Sequence, residues 1–212
     1  ASAHRNILAA INTSLVLFDD VLINSNNGEY RQLHDAQDSS WAEQVALCAR
    51  QLLQGREQSA SILLLLPPAS FVATRFALGI VGEKLLRSAL KLQTHTLIPA
   101  YDEELLLGIK GSSSSGVALW YPVRQANALF LAMQNQGLFL AAIMPRPLAL
   151  AQLNGVDSEQ ILVDEDDSQI TQIEYTKGVI RTLLSISQLD LSEEAFAAQW
   201  QLESSKLPPA NI

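Results

Sequence analysis

The stretch Ser61-Ile-Leu-Leu-Leu-Leu-Pro-Pro68 decides the fold class of this chain. An unbroken aliphatic run follows Ser61, and two prolines end it. A short apolar run bounded by turn residues is typical of a strand that is buried on both faces of a sheet. The sequence therefore predicts a buried central strand over residues 61–66.

On the N-terminal side of this run, the pattern predicts an antiparallel meander followed by a helix. The predicted strands cover residues 6–18, 20–24 and 30–33. Apolar residues at helical spacing then predict a helix from Trp41 to about Gly55, with Ser39 or Ser40 as its N-cap.

On the C-terminal side, predicted strands and helices alternate, and several strands pair through hairpins. Strands are predicted at 71–76, 104–110, 117–121, 138–143, 160–164 and 169–175, helices at 82–92, 123–136 and 193–200, a short turn or helix at 148–153, and a strand or helix at 177–187. In the helix at 82–92 the predicted apolar stripe comprises Leu85, Leu86, Ala89, Leu90 and Leu92. This mixture predicts a two-lobed α/β fold with a mixed sheet.

The length of 212 residues is sufficient for two small lobes, each with its own core. We expect a first lobe over residues 1–100, which contains the strand at 61–66, and a second lobe over 101–205. Residues 206–212 read as an exit linker. No signal peptide and no apolar run of the ~20 residues that a membrane helix needs are visible, so we expect a soluble chain, or a soluble piece of a longer membrane protein.

The chain is acidic, with a formal net charge of -8 and a pI of about 4.8. Phosphate binding needs a basic surface, so nucleic acid is not an expected partner, and a basic patch on another protein is. The densest charge cluster comprises Asp164, Glu165, Asp166 and Asp167, here called the acidic run. Two interpretations stay open for it, a solvated hairpin tip and a docking site for a basic partner.

No residue pattern points to a catalytic or metal site. The histidines His4, His34 and His95 have no partner at metal-ligand spacing, and the acidic run lacks the spacing of an EF-hand. Cys48 is the single cysteine, so it cannot form an internal disulfide, and it reads as a small buried apolar residue. The loop Gly111-Ser-Ser-Ser-Ser-Gly116 precedes a strand and lacks a Gly-Lys-Ser/Thr ending, so it reads as a hairpin loop.

The order of elements resembles a known family over about three quarters of the chain. The segments that carry the resemblance are 62–67 (Ile-Leu-Leu-Leu-Leu-Pro), 72–75, 85–90, 92–97, 103–107, 117–121, the helix at 123–137, the strand at 138–145, and the closing hairpin and strand at 161–186. They are similar to the cytoplasmic, actin-like domain of GspL- and PilM-type platform proteins of type II secretion and type IV pilus biogenesis, including MSHA-pilus relatives.

The resemblance implies a reduced actin-like, ribonuclease-H-like fold at the cytoplasmic face of the bacterial inner membrane. GspL recruits an assembly ATPase, and PilM binds the tail of the small membrane protein PilN and can hold ATP. The implied partners are therefore an assembly ATPase or a small membrane assembly protein. Membrane association would use a segment outside this chain, and a homodimer is left open.

Two functions follow from the resemblance, a docking scaffold and a nucleotide-binding protein. Actin-like ATPases hold phosphate with an acidic, glycine-rich turn near the N-terminus. The matching place here is taken as residues 11–15 (Ile-Asn-Thr-Ser-Leu), which contain neither aspartate nor glycine. We therefore predict a non-catalytic scaffold without a cofactor.

Overall fold

The computed structural model describes residues 10–34, 39–79, 82–98, 103–111, 115–153, 159–176 and 179–191, together with residues 194 and 198. The strands within these ranges are Thr13–Phe18 (β1), Val21–Asn24 (β2), Tyr30–Gln32 (β3), Ser61–Leu66 (β4), Val72–Ala77 (β5), Leu105–Gly111 (β6), Ser115–Pro122 (β7), Phe139–Pro145 (β8), Glu159–Glu165 (β9), Gln169–Thr176 (β10) and Val179–Ser187 (β11). The α-helices are Trp41–Leu52 (α1), Glu83–Leu92 (α2), Thr94–Leu97 (α3), Val123–Asn135 (α4), Arg146–Leu153 (α5) and Gln188–Leu191 (α6), and 3-10 turns lie at Glu57–Ser59 and Pro68–Ser70.

The chain divides into two compact units, each made of two separate segments. Unit 1 combines residues 1–67 with 123–146, and unit 2 combines 68–122 with 147–212. This division differs from the predicted lobes, 1–100 and 101–205. The reason is that β8 pairs in parallel with β4 across the long segment that forms β5, β6 and β7. The predicted exit linker at 206–212 lies outside the described residues.

Unit 1 is built on a five-stranded mixed sheet in the order β3-β2-β1-β4-β8. Strands β1, β2 and β3 form the predicted antiparallel meander. Strand β4 lies parallel to β1 on one side and to β8 on the other. Its residues from Ile62 to Leu66 are all buried, which confirms the predicted buried strand.

Helix α1 is capped by Ser40, one of the two predicted N-caps, and Ser40 forms a capping box with Glu43 that was not among the predictions. The Ser40 side chain accepts a hydrogen bond from the Glu43 amide at 3.3 Å, and the Glu43 carboxylate accepts one from the Ser40 amide at 2.7 Å. The hydrogen bond from the Ser40 backbone, followed by that from its side chain, lowers the pKa of Glu43 below its usual value. The apolar face of α1 packs against α4, so both helices cover the same region of unit 1.

Unit 2 contains two antiparallel three-stranded sheets, in the orders β5-β7-β6 and β11-β10-β9. The β6–β7 and β9–β10 hairpins are confirmed, and Val179–Ser187, within the segment predicted as a strand or helix, forms strand β11. A core cluster joins the first sheet to α2 through Phe76, Leu86, Leu90, Ile98, Leu105, Ala118 and Trp120. The Trp120 indole donates a hydrogen bond to Thr74 Oγ1 at 2.8 Å, so the buried ring has its polar group satisfied.

One element begins earlier than predicted, and two predicted segments fall largely on residues that the structure does not describe. Helix α5 begins at Arg146, directly after β8, which extends to Pro145. The predicted helix at 193–200 and the tip of the loop at 112–114 fall largely outside the described residues. Within the described ranges, no helix has both the length and the apolar character that crossing a bilayer requires.

Candidate functional site

The acidic run spans the end of β9 and the turn that leads to β10: Asp164 and Glu165 are the last residues of β9, where Glu165 pairs with Ile170, and Asp166 and Asp167 lie in the turn. Asp166 closes this turn: its Oδ1 accepts hydrogen bonds from the Ser168 amide at 2.9 Å, the Ser168 hydroxyl at 2.7 Å and the Gln169 amide at 3.0 Å. An aspartate in this position satisfies backbone donors that the turn leaves without a ladder partner. The role of Asp166 is therefore structural.

The four carboxylates of the acidic run do not share one environment. Asp164 is 7% exposed and Asp166 8% exposed, whereas Glu165 and Asp167 are exposed. Side chains alternate along a strand, and Asp164 lies on the same inward face of β9 as the buried Leu162. The prediction that the whole acidic run lies at the surface is therefore wrong for Asp164 and Asp166. A partner would meet only Glu165 and Asp167.

The start of α6 holds the tip of this hairpin in place. The Gln188 side chain donates to the Asp166 carbonyl at 3.1 Å and to the Glu165 carboxylate at 3.3 Å. The Gln188 amide donates to the Ser168 carbonyl at 2.9 Å. Sequence reasoning missed this residue, because a glutamine after a strand carries no local signal for a contact about twenty residues away in the chain. The exposed carboxylates of Glu165 and Asp167 therefore lie at a turn that hydrogen bonds from Gln188 stabilise.

The segment at 11–15, taken as the place of a phosphate turn, lies at the start of β1. The Asn12 side chain donates to the Ser59 carbonyl at 2.8 Å and accepts from the Ser61 amide at 2.9 Å and from the Thr13 hydroxyl at 2.9 Å. These bonds fasten the beginning of β1 to the beginning of β4. The polar residues of this segment therefore serve the sheet.

The opposite end of β1 is where a ligand would be expected. In open α/β sheets, ligands bind beyond the carboxyl ends of the parallel strands. At that end, β1 runs into the turn formed by Asp19 and Asp20, and Asp19 adopts a positive φ of 50°. This rule favours the Asp19–Asp20 turn over residues 11–15 as the place of a phosphate turn. The relevant turn is acidic after all, but it contains no glycine.

A buried arginine lies beside this turn within unit 1. Arg146 is 3% exposed, and its guanidinium donates to the Leu17 carbonyl at 2.7 Å and stacks 3.9 Å from the centre of the Phe18 ring. The carbonyl bond and the ring together offset part of the cost of burying the charge. The sequence offered one signal for this residue, its position between Pro145 and Pro147 at the end of a strand.

The remaining candidates are the possible metal ligands, the cysteine and a surface cavity. No group of three or more histidine, cysteine or acidic side chains there could hold a metal ion. Cys48 is a buried free cysteine, as predicted, and burial raises the pKa of its thiol. An open cavity of about 520 Å³ in unit 1 is lined by Arg50 and Arg56 but also by Glu57, so its charges partly cancel.

Neither a protein-family model nor a curated protein sequence matches the chain. Several solved structures are similar to the chain, and two of them are described below. The PilM–PilN type IV pilus biogenesis complex matches with a TM-score of 0.65 and 11% identity, over 92% of this chain and 69% of that one.

The second is the cytoplasmic domain of EpsL, an inner membrane component of the type II secretion system of Vibrio cholerae. It matches with a TM-score of 0.57 and 13% identity, over 89% of this chain and 76% of that one. At these identities the likeness shows the fold. The predicted mixed-sheet, actin-like fold is thereby confirmed, and so is the resemblance to GspL- and PilM-type proteins at the level of the fold.

Proposed function

We propose that this chain is a non-catalytic docking domain of a bacterial inner-membrane platform for type II secretion or type IV pilus assembly. The observation that carries the proposal is the shared fold over about nine tenths of the chain with EpsL and with the PilM–PilN complex. The proposed place of action is the cytoplasmic face of the inner membrane. The proposed partner is an assembly ATPase or a small membrane assembly protein, comparable to PilN in the PilM–PilN complex.

The charge of the chain supports a basic partner surface. The net charge of -8 provides long-range attraction, and Glu165 and Asp167 place two exposed carboxylates on the turn that Asp166 and Gln188 hold rigid. A rigid turn loses little entropy on binding, which favours its use in recognition. Asp164 and Asp166 belong to the interior and have no part in this proposed surface.

We expect the double substitution Glu165→Gln and Asp167→Asn to slow association with the cognate assembly ATPase. Because exposed charges act mainly on the encounter rate, the association rate at low salt should fall about threefold or more, and the difference should shrink at ~0.15 M salt. Surface-immobilised binding kinetics across salt concentrations would measure this. Absence of any binding by the parent chain to the ATPase or to a small membrane assembly protein would contradict the proposed function itself.

A matched control removes the same charge elsewhere in unit 2. Glu103 and Glu104 are adjacent and exposed, so changing both to glutamine alters the net charge equally. This variant should keep most of the parent's association rate. If it slows association as much as the Glu165→Gln, Asp167→Asn variant does, the slower association results from net charge alone. The acidic run is then a solvated turn.

The competing function is nucleotide binding by an actin-like protein. The observation in its favour is the pair Asp19 and Asp20 beyond the carboxyl end of β1. Against it, residues 18–21 (Phe-Asp-Asp-Val) contain no glycine, and backbone amides need glycine to approach phosphate closely. The side chains of the four residues in this turn would keep a phosphate away from the backbone amides.

We therefore expect no micromolar binding of Mg-ATP to the chain. Titration calorimetry would measure it directly. A micromolar dissociation constant that is lost on changing Asp19 and Asp20 to alanine would establish the competing function and place its site at the β1–β2 turn.

A further inference from the structure

Helix α2 carries two separate apolar faces. Leu86 and Leu90 are buried in the core of unit 2 against Trp120 and its neighbours. Leu85 is 64% exposed and Leu92 84% exposed, although the sequence placed both on the same stripe as the buried leucines. This second face is occupied by no described residue and needs an explanation of its own.

Helical geometry places the exposed leucines in one line. Successive residues turn by about 100°, so positions seven apart differ by only about 20° and lie about 10 Å apart along the axis. Leu85 and Leu92 are such a pair, and so are Lys84 and Lys91, each directly preceding a leucine. The outward surface of α2 is therefore a row of two leucines beside a row of two lysines.

The rotation of the helix is fixed by Arg87. Its guanidinium forms an ion pair with Glu83 at 2.9 Å and donates to the Leu107 carbonyl on β6 at 2.7 Å. These contacts hold Arg87 against the sheet on the flank opposite the exposed leucines. Leu85 and Leu92 consequently face outward, and the exposed Lys84 and Lys91 lie between them and Arg87 on the helix surface.

The segment that carries these residues is basic, although the chain as a whole is acidic, and the one acidic residue of α2, Glu83, is paired with Arg87. From Lys84 to Ile98 the sequence contains no acidic residue, while the chain as a whole carries a net charge of -8. The occupant that complements this face is therefore both anionic and apolar. An anionic phospholipid surface has this chemistry, because its headgroups attract lysine and its acyl region accepts leucine.

The size of the face favours lipid over a protein. Two leucine side chains cover far less than the roughly 1,000 Å² that a stable protein interface buries. Shallow insertion into a bilayer needs only such a row, with the lysine stems extending to the phosphates. The geometry points to α2 as a lipid-contact helix, whose Leu85 and Leu92 insert into an anionic phospholipid surface while Lys84 and Lys91 contact the headgroups. This inference does not rest on the proposed docking function.

Flotation of the whole chain with lipid vesicles tests the inference. The vesicles contain phosphatidylcholine alone, or phosphatidylcholine and phosphatidylglycerol in equal parts. We expect binding to the second kind only, weakened at ~0.15 M salt. The variant Leu85→Ser with Leu92→Ser should bind at least about tenfold more weakly, and Lys84→Gln with Lys91→Gln should show a similar loss.

The matched control changes two exposed leucines of unit 1, Leu47→Ser with Leu131→Ser, and should bind as the parent does. A second readout uses Ser88→Cys, which lies between the two rows and would carry an environment-sensitive dye, since the buried Cys48 resists labelling. The dye should shift to the blue with anionic vesicles. Circular dichroism verifies that each variant is folded.

Three results would overturn the inference. The first is that the parent does not bind anionic vesicles. The second is that the Leu85→Ser, Leu92→Ser variant binds them as tightly as the parent does. The third is that the unit 1 control loses as much binding as the α2 variant does. The first result, combined with binding of an acidic protein to the α2 face, would replace the lipid by a protein as the occupant of this face. The ATPase-binding assay does not use vesicles, so a negative result in either experiment leaves the other proposal open to its own test.

Discussion

Replacing Leu64 with aspartate should destabilise the chain by at least about 4 kcal/mol. Leu64 is 0% exposed and lies in β4 between Leu15 of β1 and Ile143 of β8. A carboxylate there would lose its hydration and gain no cation. Urea unfolding followed by circular dichroism measures the effect, and the milder Leu64→Ala variant should lose about 2–5 kcal/mol if the aspartate variant does not fold.

The control for this prediction is the same chemical change at an exposed site. Leu131→Asp on α4 lies in the same unit but faces outward, so its stability should remain within about 0.5 kcal/mol of the parent. If Leu64→Asp unfolded at the same urea concentration as Leu131→Asp, β4 would not be a buried strand and the sheet of unit 1 would be wrong.

Trp120→Ala should cost about 3–5 kcal/mol in unit 2. Trp120 is 1% exposed, belongs to the cluster that joins α2 to the β5-β7-β6 sheet, and donates to Thr74. Removal of the indole leaves a cavity, and the Thr74 hydroxyl loses the hydrogen bond from Trp120. Hydrogen exchange of the amides in β5, β6 and β7 reports on this sheet directly, and their protection should fall accordingly.

Two further variants separate the cavity from the hydrogen bond. Trp120→Phe retains much of the ring volume, and in combination with Thr74→Val it forms a double-mutant cycle that isolates the indole–hydroxyl interaction, expected at about 1 kcal/mol. Leu106→Ala, at an exposed position of β6, is the control and should leave the protection nearly unchanged. Equal loss of protection in Leu106→Ala and Trp120→Ala would contradict the assigned core.

Local patterns predicted those parts of the fold that local interactions determine. The apolar run at 61–66 predicted β4, and the serine pair Ser39 and Ser40 predicted the beginning of α1, because strand burial and helix capping depend on neighbouring residues. The pairing of β4 with β8 depends instead on residues about eighty positions apart, which no periodicity encodes. The observed units differ from the predicted lobes for this reason.

The candidate sites show the same limit. Asp164 and Asp166 look like surface charges in the sequence, but the inward face of β9 and the donors of the turn bury them. Arg146 has no periodic signature, because a buried arginine depends on a carbonyl and a ring from another strand. In α2, five apolar residues predicted one stripe, and only the packing of unit 2 separates the buried leucines from the exposed ones.

Unit 1 consists of two segments that the ribosome synthesises at different times, which affects folding during synthesis. Strands β1 to β4 emerge first, yet the far edge of β4 stays uncovered until β8 follows. That strand completes roughly 80 residues later, or about 4–16 s later at a synthesis rate of about 5–20 residues per second. During this interval the most apolar strand of the nascent chain presents an open edge, which is the condition under which chaperones bind and co-translational aggregation begins. Slowing translation between residues 68 and 122 should therefore lower the yield of folded protein more than slowing it after residue 145.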